Sequence, residues 1–193
     1  MADPADPVSS RILHMCASAR GAFTNEECDA VIELAREQGL SKGVVGESSV
    51  ELEVRDSDIA RIARTEKTEW LYKKVFDIVL HLNSEAWKFD LFESEDFQIA
   101  EYTNAGHYDW HLDISSQHPF TLRKLGVTVQ LSDGDSYEGG NFEALYGPET
   151  DIAPRDRGTI VIFPSFVLHR VAPVTAGSRF SLTAWVLGKE PFK

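Results

Sequence analysis

The stretch HYDWHLD, residues 107–113, places two histidines and two aspartates within seven positions. Successive side chains of a β-strand point to opposite faces, so this spacing predicts that His107, Asp109, His111 and Asp113 share one face. An imidazole and a carboxylate on the same face can bind one metal ion. The stretch is therefore a candidate metal site.

A further histidine occupies a position where a core residue is expected. His169 lies within GTIVIFPSFVLHRV, a segment of mainly apolar residues. A buried neutral histidine with a hydrogen-bond partner would explain this position taken alone. With His111 and Asp113, however, it completes the set of two imidazoles and one carboxylate that holds non-haem Fe(II) and leaves positions open for oxygen chemistry. A zinc hydrolase with the same ligands stays open at this point.

A cationic residue follows this histidine along the chain. Arg179 stands ten positions beyond His169, after RVAPVTAGS. A hairpin turned by TAG would bring the strand of Arg179 back beside His169. The guanidinium could then hold a carboxylate through two parallel hydrogen bonds, as required by a dicarboxylate that chelates the metal with its other end.

Taken together, these motifs resemble a known family. HLD at residues 111–113, LHRVAPV with His169 and GSRFSLTAW with Arg179 are similar to the Fe(II)- and 2-oxoglutarate-dependent oxygenases, specifically their prolyl 4-hydroxylase-like branch. The segments FQIAEYTNAGHYDWHLD, YEGGNFEAL and RGTIVIFPSFVLHRVAPVTAGSRFSLTAWVLG fit this branch in order and spacing. The first half, with VRDSDI, is similar to its bacterial and phage members.

The resemblance implies a role for each matching residue. The Fe(II) ligands and catalytic centre would be His111, Asp113 and His169. Arg179 would bind the distal carboxylate of the cosubstrate 2-oxoglutarate, O2 would be the second cosubstrate, and ascorbate could serve as reductant.

Other matching positions would line the cosubstrate pocket, namely those of Tyr102, Thr183 and Trp185. Alternation along one strand would place Thr183 and Trp185 on the same face as the arginine anchor. One departure concerns Val127 and Val129, which stand where some relatives have a second tyrosine. The remaining contacts of the cosubstrate are therefore left open.

The implied reaction hydroxylates an unactivated C–H bond and converts 2-oxoglutarate to succinate and CO2. The prolyl hydroxylase likeness favours a prolyl residue of a peptide or protein as the substrate. A free amino acid or another small molecule is the alternative within the enzymes, because fold alone does not settle function. A barrel that binds a metal without turnover would have lost a ligand or the arginine anchor, and all four residues are present.

Two helices are predicted in the first half of the chain. Thr24 and Glu27 form a capping-box pattern, and Gly39 can end the helix, which predicts a first helix over about residues 25–38. The stretch 41–64 fits either strands or a mobile loop. Apolar residues at helical spacing predict a second helix with one face in the core, formed by Trp70, Leu71, Val75, Ile78, Val79 and Leu82.

From about residue 96, short apolar or alternating runs follow one another between turn signals such as SDGDSYEGG and VTAG. Seven or eight strands at this spacing predict a sandwich or a jelly-roll barrel with the two helices packed on its outside. The family resemblance implies the second of these, an α+β protein with a jelly-roll or cupin-like barrel, the double-stranded β-helix. We expect one domain over residues 1–193, with helical support up to about residue 90 and the jelly-roll core over about 95–190.

The composition and charge limit the classes of partner that the sequence predicts. A net charge of −12 argues against a broad phosphate-binding surface and hence against nucleic acid as a partner. No apolar run approaches the roughly 18 residues of a membrane span, and the first residues lack the pattern of a signal peptide, so a cytoplasmic protein is expected. Two cysteines, Cys16 and Cys28, suit free thiols, and the oligomeric state stays open.

Overall fold

A computed structural model describes residues 15–43 and 51–192 of the chain. Residues 44–50, the middle of the stretch for which strands or a loop were both expected, lie outside the described residues. The parts of that stretch on either side contain strands. None of the helices in the described ranges has the length and apolar character needed to cross a membrane.

The first helix, α1 (Asn25–Gln38), is confirmed with its predicted caps. The Thr24 hydroxyl accepts a hydrogen bond from the Glu27 amide, and the Glu27 carboxylate accepts one from the Thr24 amide. Gly39 ends the helix with a φ of 82°, which a residue with a Cβ adopts at a cost. The buried face of α1 consists of Cys28, Val31, Ile32 and Ala35.

The second helix, α2 (Glu69–Ala86), is also confirmed, but one of its predicted core residues is wrong. Trp70 is 38 % exposed and lines a surface pocket with Ala30 and Leu34 of α1, whereas Tyr72 is buried. The Tyr72 hydroxyl donates to the Ile62 carbonyl at 2.6 Å and accepts from the Phe97 amide at 3.1 Å. This hydroxyl therefore joins α2 to two strands of the sheet beneath it.

The strands pair throughout in antiparallel fashion. Those in the first half are short: β1 (Ala17–Ala19), β2 (Ser41–Lys42), β3 (Arg55–Asp56), β4 (Asp58–Ile62) and β5 (Leu91–Ser94). Those of the second half follow at closer intervals: β6 (Phe97–Thr103), β7 (His107–His111), β8 (Arg123–Gln130), β9 (Tyr137–Gly139), β10 (Phe142–Leu145), β11 (Thr150–Ile152), β12 (Ile160–Pro164), β13 (Leu168–Val171) and β14 (Val174–Gly188).

Two facing sheets result. The larger has the order β1-β12-β8-β14-β6-β4-β2, with β5 and β9 also paired to β14, and the smaller has the order β11-β10-β13-β7-β3. The predicted double-stranded β-helix with outside helices is confirmed as a fold, but the described strands form these two sheets and not a closed barrel. Both helices pack on the outer face of the larger sheet, where Leu182, Ala184 and Val186 of β14 join their core.

The predicted hairpin between the strands of His169 and Arg179 is wrong. Residues 174–177 do not turn the chain back, because Val174 and Gly177 are themselves paired with β9. The chain instead crosses from β13 in the smaller sheet to β14 in the larger one. Arg179 therefore lies in the sheet that faces His169, and not on a neighbouring strand.

Candidate metal centre

Two histidines on adjacent strands form the base of the site. His111 ends β7 and pairs with His169 on β13, which places their rings 4.2 Å apart. In each ring Nδ1 donates to a backbone carbonyl, that of Asp109 at 2.7 Å and that of Val167 at 2.9 Å. A carbonyl can only accept, so the neutral rings keep a free lone pair on Nε2, which is the atom that would bind a metal.

Asp113 supplies the carboxylate between these rings. Its oxygens Oδ1 and Oδ2 lie 3.8 Å from His111 Nε2 and 3.7 Å from His169 Nε2. The backbone N–H of Asp113 donates to the Ser165 carbonyl at 3.0 Å, which fixes the residue beyond the end of β7. Together the three ligand atoms lie within 4.8 Å of one another.

The surroundings of this carboxylate fit a bound cation. Asp113 is buried, and its Oδ2 has no hydrogen-bond partner among the described residues. A buried carboxylate oxygen without a donor is costly unless a cation neutralises it. The two nitrogens and this oxygen therefore suit Fe(II), with His111, Asp113 and His169 as the residues that would hold it.

A glycine on the facing sheet makes room for the carboxylate. Gly126 of β8 lies so close that a Cβ at this position would overlap Asp113 Oδ2 and come 2.5 Å from Cε2 of Phe163. Phe163 in turn packs on the His169 ring, with 4.5 Å between ring centroids. The absence of a side chain at residue 126 thus allows the carboxylate and this ring to lie together.

Burial also favours the protonation state that a ligand needs. Removal of His111 from water, reinforced by His169 and opposed by the Asp113 carboxylate, lowers the pKa of His111 to about 4. At neutral pH the His111 imidazole is therefore uncharged. A neutral imidazole can offer its Nε2 lone pair to a metal.

The expected alternation along residues 107–113 is interrupted. His169 pairs with His111, but Val171 pairs with Tyr108, so β7 contains one extra residue as a bulge. Tyr108 consequently stacks on His111, with ring centroids 3.6 Å apart, and Asp109 is exposed and accepts a hydrogen bond from the Trp110 amide. The prediction that Asp109 shares the ligand face is therefore wrong.

The guanidinium of Arg179 is fully buried in the larger sheet. Its Nη2 donates to Gln130 Oε1 at 2.9 Å and its Nη1 donates to Ser181 Oγ at 3.2 Å. Its Cζ lies 5.4 Å from the centre of the Tyr102 ring. Within the described residues no carboxylate forms an ion pair with Arg179, and its Nε has no hydrogen-bond partner. A buried cation in this state suits an anionic ligand.

The other predicted pocket residues line a cavity at the candidate metal ligands. Tyr102, Thr183 and Trp185 line it together with all three candidate ligands, and Tyr102 also lies next to this arginine. The indole Nε1 of Trp185 is buried and has no partner in the described part of the chain. Val127 lines the same cavity with an apolar surface.

Sequence reasoning missed three residues next to this cavity. Arg55 of β3 lies over the Tyr108 ring at 4.7 Å, so guanidinium, phenol and the His111 imidazole form one stack. Arg123 lies 4.0 Å above the Trp185 ring and donates through Nε and Nη2 to Glu95, both at 2.6 Å. Arg123 lies outside the quoted motifs, Arg55 lies within VRDSDI but was given no role, and the position of Tyr108 was hidden by the bulge.

A wider opening adjoins the cavity. The two share His111, Asp113 and Trp185, among others. The edge of the opening comes from segments outside the central strands and includes Arg61, Leu112, Ser115, Gln117 and Phe120. A ligand larger than the cosubstrate could therefore reach the candidate metal centre from this side.

Comparison with protein families identifies this arrangement. Residues 97–187 match the model of the 2OG-Fe(II) oxygenase superfamily. This segment is similar to 2OG-Fe(II) oxygenase domains. The matched segment contains every residue to which the sequence resemblance gave a role, from Tyr102 to Trp185, and the resemblance to this superfamily is confirmed.

Curated proteins similar to this part of the chain are PKHD-type hydroxylases. One from Teredinibacter turnerae is 35 % identical over 94 residues, which cover 47 % of this chain and 42 % of the relative. Another from Hyphomonas neptunium is 42 % identical over 82 residues, which cover 41 % of this chain and 37 % of the relative. The match thus spans about two fifths of these relatives' own length.

Solved structures share the fold over most of both chains. A Pseudomonas putida prolyl-4-hydroxylase has a TM-score of 0.76 at 21 % identity, covering 93 % of this chain and 96 % of that one. A Trichoplax adhaerens prolyl hydroxylase, in complex with a peptide fragment of a hypoxia inducible factor, has a TM-score of 0.76 at 16 % identity, covering 94 % and 90 %. At these identities the likeness concerns the fold.

Proposed function

We propose that this chain is an Fe(II)- and 2-oxoglutarate-dependent hydroxylase that acts on a prolyl residue of a peptide or protein. The observation that carries the proposal concerns Arg179, a buried guanidinium without a described carboxylate partner. It contacts Tyr102 and Ser181, which line the same cavity as Asp113 with its unpartnered Oδ2. The end of this cavity at Asp113 suits a cation, and the end at Tyr102 and Ser181, next to the guanidinium, suits an anion. A metal-chelating dicarboxylate satisfies both ends at once.

Each residue of the site has a task in this proposal. His111, Asp113 and His169 hold Fe(II), which supplies the oxidising chemistry that couples decarboxylation of 2-oxoglutarate to hydroxylation. Arg179 binds the distal carboxylate of 2-oxoglutarate by charge-assisted hydrogen bonds. Phe163 and Val127 line the cavity with apolar surface and limit the water that reaches the reacting atoms.

The adjoining opening supports a peptide substrate. It is wider than the inner cavity and is edged by both apolar and polar residues, including Leu112, Phe120 and Arg61. A residue of an extended peptide could enter while the rest of the peptide lies along this edge. The Trichoplax adhaerens prolyl hydroxylase of the same fold, solved with a peptide fragment, supports this class of substrate. The proposal further treats residues 1–193 as one oxygenase domain of a cytoplasmic protein.

The test is succinate production by the purified protein in air with 2-oxoglutarate, Fe(II) and ascorbate, with and without a panel of proline-containing peptides. The proposal predicts succinate that rises with a peptide and a gain of about 16 Da, one oxygen atom, on that peptide. The Asp113→Ala protein is the control for succinate that free iron produces in solution without the protein site. Succinate without any modified peptide would favour a free amino acid or another small molecule, and failure to bind iron would favour a barrel without turnover.

A further inference from the structure

Gln130, the last residue of β8, holds the guanidinium of Arg179 in a defined orientation. It lies opposite Ser181 of β14 in the antiparallel ladder and is 2 % exposed. Its Oε1 accepts from Arg179 Nη2 at 2.9 Å, and its Nε2 donates to the Pro154 carbonyl at 3.2 Å. Because the Pro154 carbonyl can only accept, Nε2 must face it and Oε1 must face the arginine.

This contact gives the Arg179 guanidinium a hydrogen-bond acceptor without neutralising its positive charge. The second hydrogen-bond acceptor of Arg179 is the Ser181 hydroxyl, and the nearby ring is that of Tyr102, so both are uncharged. No aspartate or glutamate of the described ranges forms an ion pair with Arg179. The full positive charge therefore remains available to a ligand, in a buried place where charge interactions are screened less than in water.

We propose that Gln130 is a positioning residue that sets the charge requirement for the cosubstrate. By orienting Arg179 with a neutral oxygen, it makes the site select a 2-oxo acid with a second carboxylate over a 2-oxo monocarboxylate of the same length. A carboxylate at this position would form an ion pair with the guanidinium and neutralise it. The site would then lose its preference for a second carboxylate on the 2-oxo acid. This inference rests on the proposed function, since it assigns Arg179 to the cosubstrate.

The experiment measures binding of two ligands to the Fe(II)-loaded protein without oxygen, by isothermal titration calorimetry. The ligands are 2-oxoglutarate and 2-oxopentanoate, which has a methyl group in place of the distal carboxylate. The variants are Gln130→Glu, which adds a charge, and Gln130→Met, which removes the amide. The matched control is Gln98→Glu, a change of another buried glutamine that contacts Arg55 and not Arg179.

We expect the wild type to bind 2-oxoglutarate about 100-fold more tightly than 2-oxopentanoate, as a charge-assisted anchor implies. Gln130→Glu should weaken the binding of 2-oxoglutarate by a factor on the order of 100 and change the affinity for 2-oxopentanoate by no more than about threefold, so that the preference disappears. Gln130→Met should weaken 2-oxoglutarate by about three- to tenfold and keep the preference. Gln98→Glu should also keep it.

The ratio between the two ligands is the readout, because a general loosening of the site would weaken both alike. An unchanged preference in folded Gln130→Glu overturns the inference and leaves the proposed function intact. Absence of 2-oxoglutarate binding in the wild type overturns the proposed function itself. If Gln130→Glu does not fold, Ser181→Asp places a carboxylate on the other side of the same guanidinium and must likewise abolish the preference.

Discussion

His169 lies directly opposite His111 in the antiparallel ladder of the smaller sheet, and the two rings face different oxygens of one carboxylate. The strand pairing itself therefore brings two of the three candidate ligands together. Asp113 follows β7 closely and reaches the same point because its backbone is bonded to Ser165. The site depends on the register of two strands, and changes to its ligands can be tested with little effect on the rest of the fold.

Asp113→Ala is expected to abolish binding of Fe(II), because the two remaining imidazoles supply no negative charge to the ion. The metal-free variant should be at least as stable as the metal-free wild type, since a buried carboxylate without a partner is removed. Metal content after dialysis and thermal unfolding measure the two effects. Asp109→Ala, at an exposed position of β7 four residues earlier, is the control and should keep the metal.

Gly126→Ala should weaken metal binding by at least about tenfold, because the added Cβ would overlap Asp113 Oδ2 and the Phe163 ring. Overpacking of this kind costs about 1–3 kcal/mol of stability. Titration of Fe(II) into the metal-free protein measures the affinity. Gly147→Ala is the matched control, since a Cβ there meets no atom within 4 Å. Wild-type affinity in the Gly126 variant would contradict the close approach of β8 to the carboxylate.

Arg179→Ala should raise the KM for 2-oxoglutarate by a factor on the order of 100, as expected for loss of about 3 kcal/mol from a bidentate charge-assisted contact. The Fe(II) content should not change, because the metal ligands lie in the facing sheet. Steady-state kinetics and metal analysis give both values. Arg170→Ala provides the comparison, since Arg170 follows His169 but pairs with Glu143 at 2.7 Å. Loss of folding in the Arg179 variant alone would indicate a structural role.

Tyr72→Phe should change the dependence of stability on pH. Burial raises the pKa of the Tyr72 phenol to about 12, against about 10 in an unfolded chain, so the folded state favours the neutral phenol. Its contribution is complete below about pH 10 and is lost as the pH rises toward 12. Denaturant unfolding at pH 9 should show a variant less stable by about 1–3 kcal/mol, because two hydrogen bonds are lost. A gap of the same size at pH 11 would argue against this ionisation.

Local sequence patterns were sufficient to predict the two helices. The caps at Thr24 and Gly39 defined α1, and the apolar spacing from Leu71 to Val79 defined α2. Trp70 was misplaced because the periodicity does not show which flank of a wide apolar stripe faces the sheet, and the buried Tyr72 has a polar end that bonds to the backbone. Such satisfied polar groups are not visible in a hydropathy pattern.

The candidate ligands were also readable from the sequence, but their setting was not. Alternation along β7 fails at the bulge, since an extra residue reverses the faces and places Tyr108 against His111. The passage of the chain from β13 to β14 depends on long-range pairing with β9, which no local turn signal reveals. For the same reason the contact of Gln130 with Arg179 required the three-dimensional structure.

Arg179 belongs to β14, which is paired on both sides by β6 and β8 at the centre of the larger sheet, whereas Leu112, Ser115 and Phe120, which lie outside the strands, belong to the rim of the opening. Substitutions at the rim disturb few pairings, and substitutions on β14 disturb many. Under the proposed function, residues at the rim can therefore change to suit a different substrate while the strand that carries the cosubstrate contact stays the same.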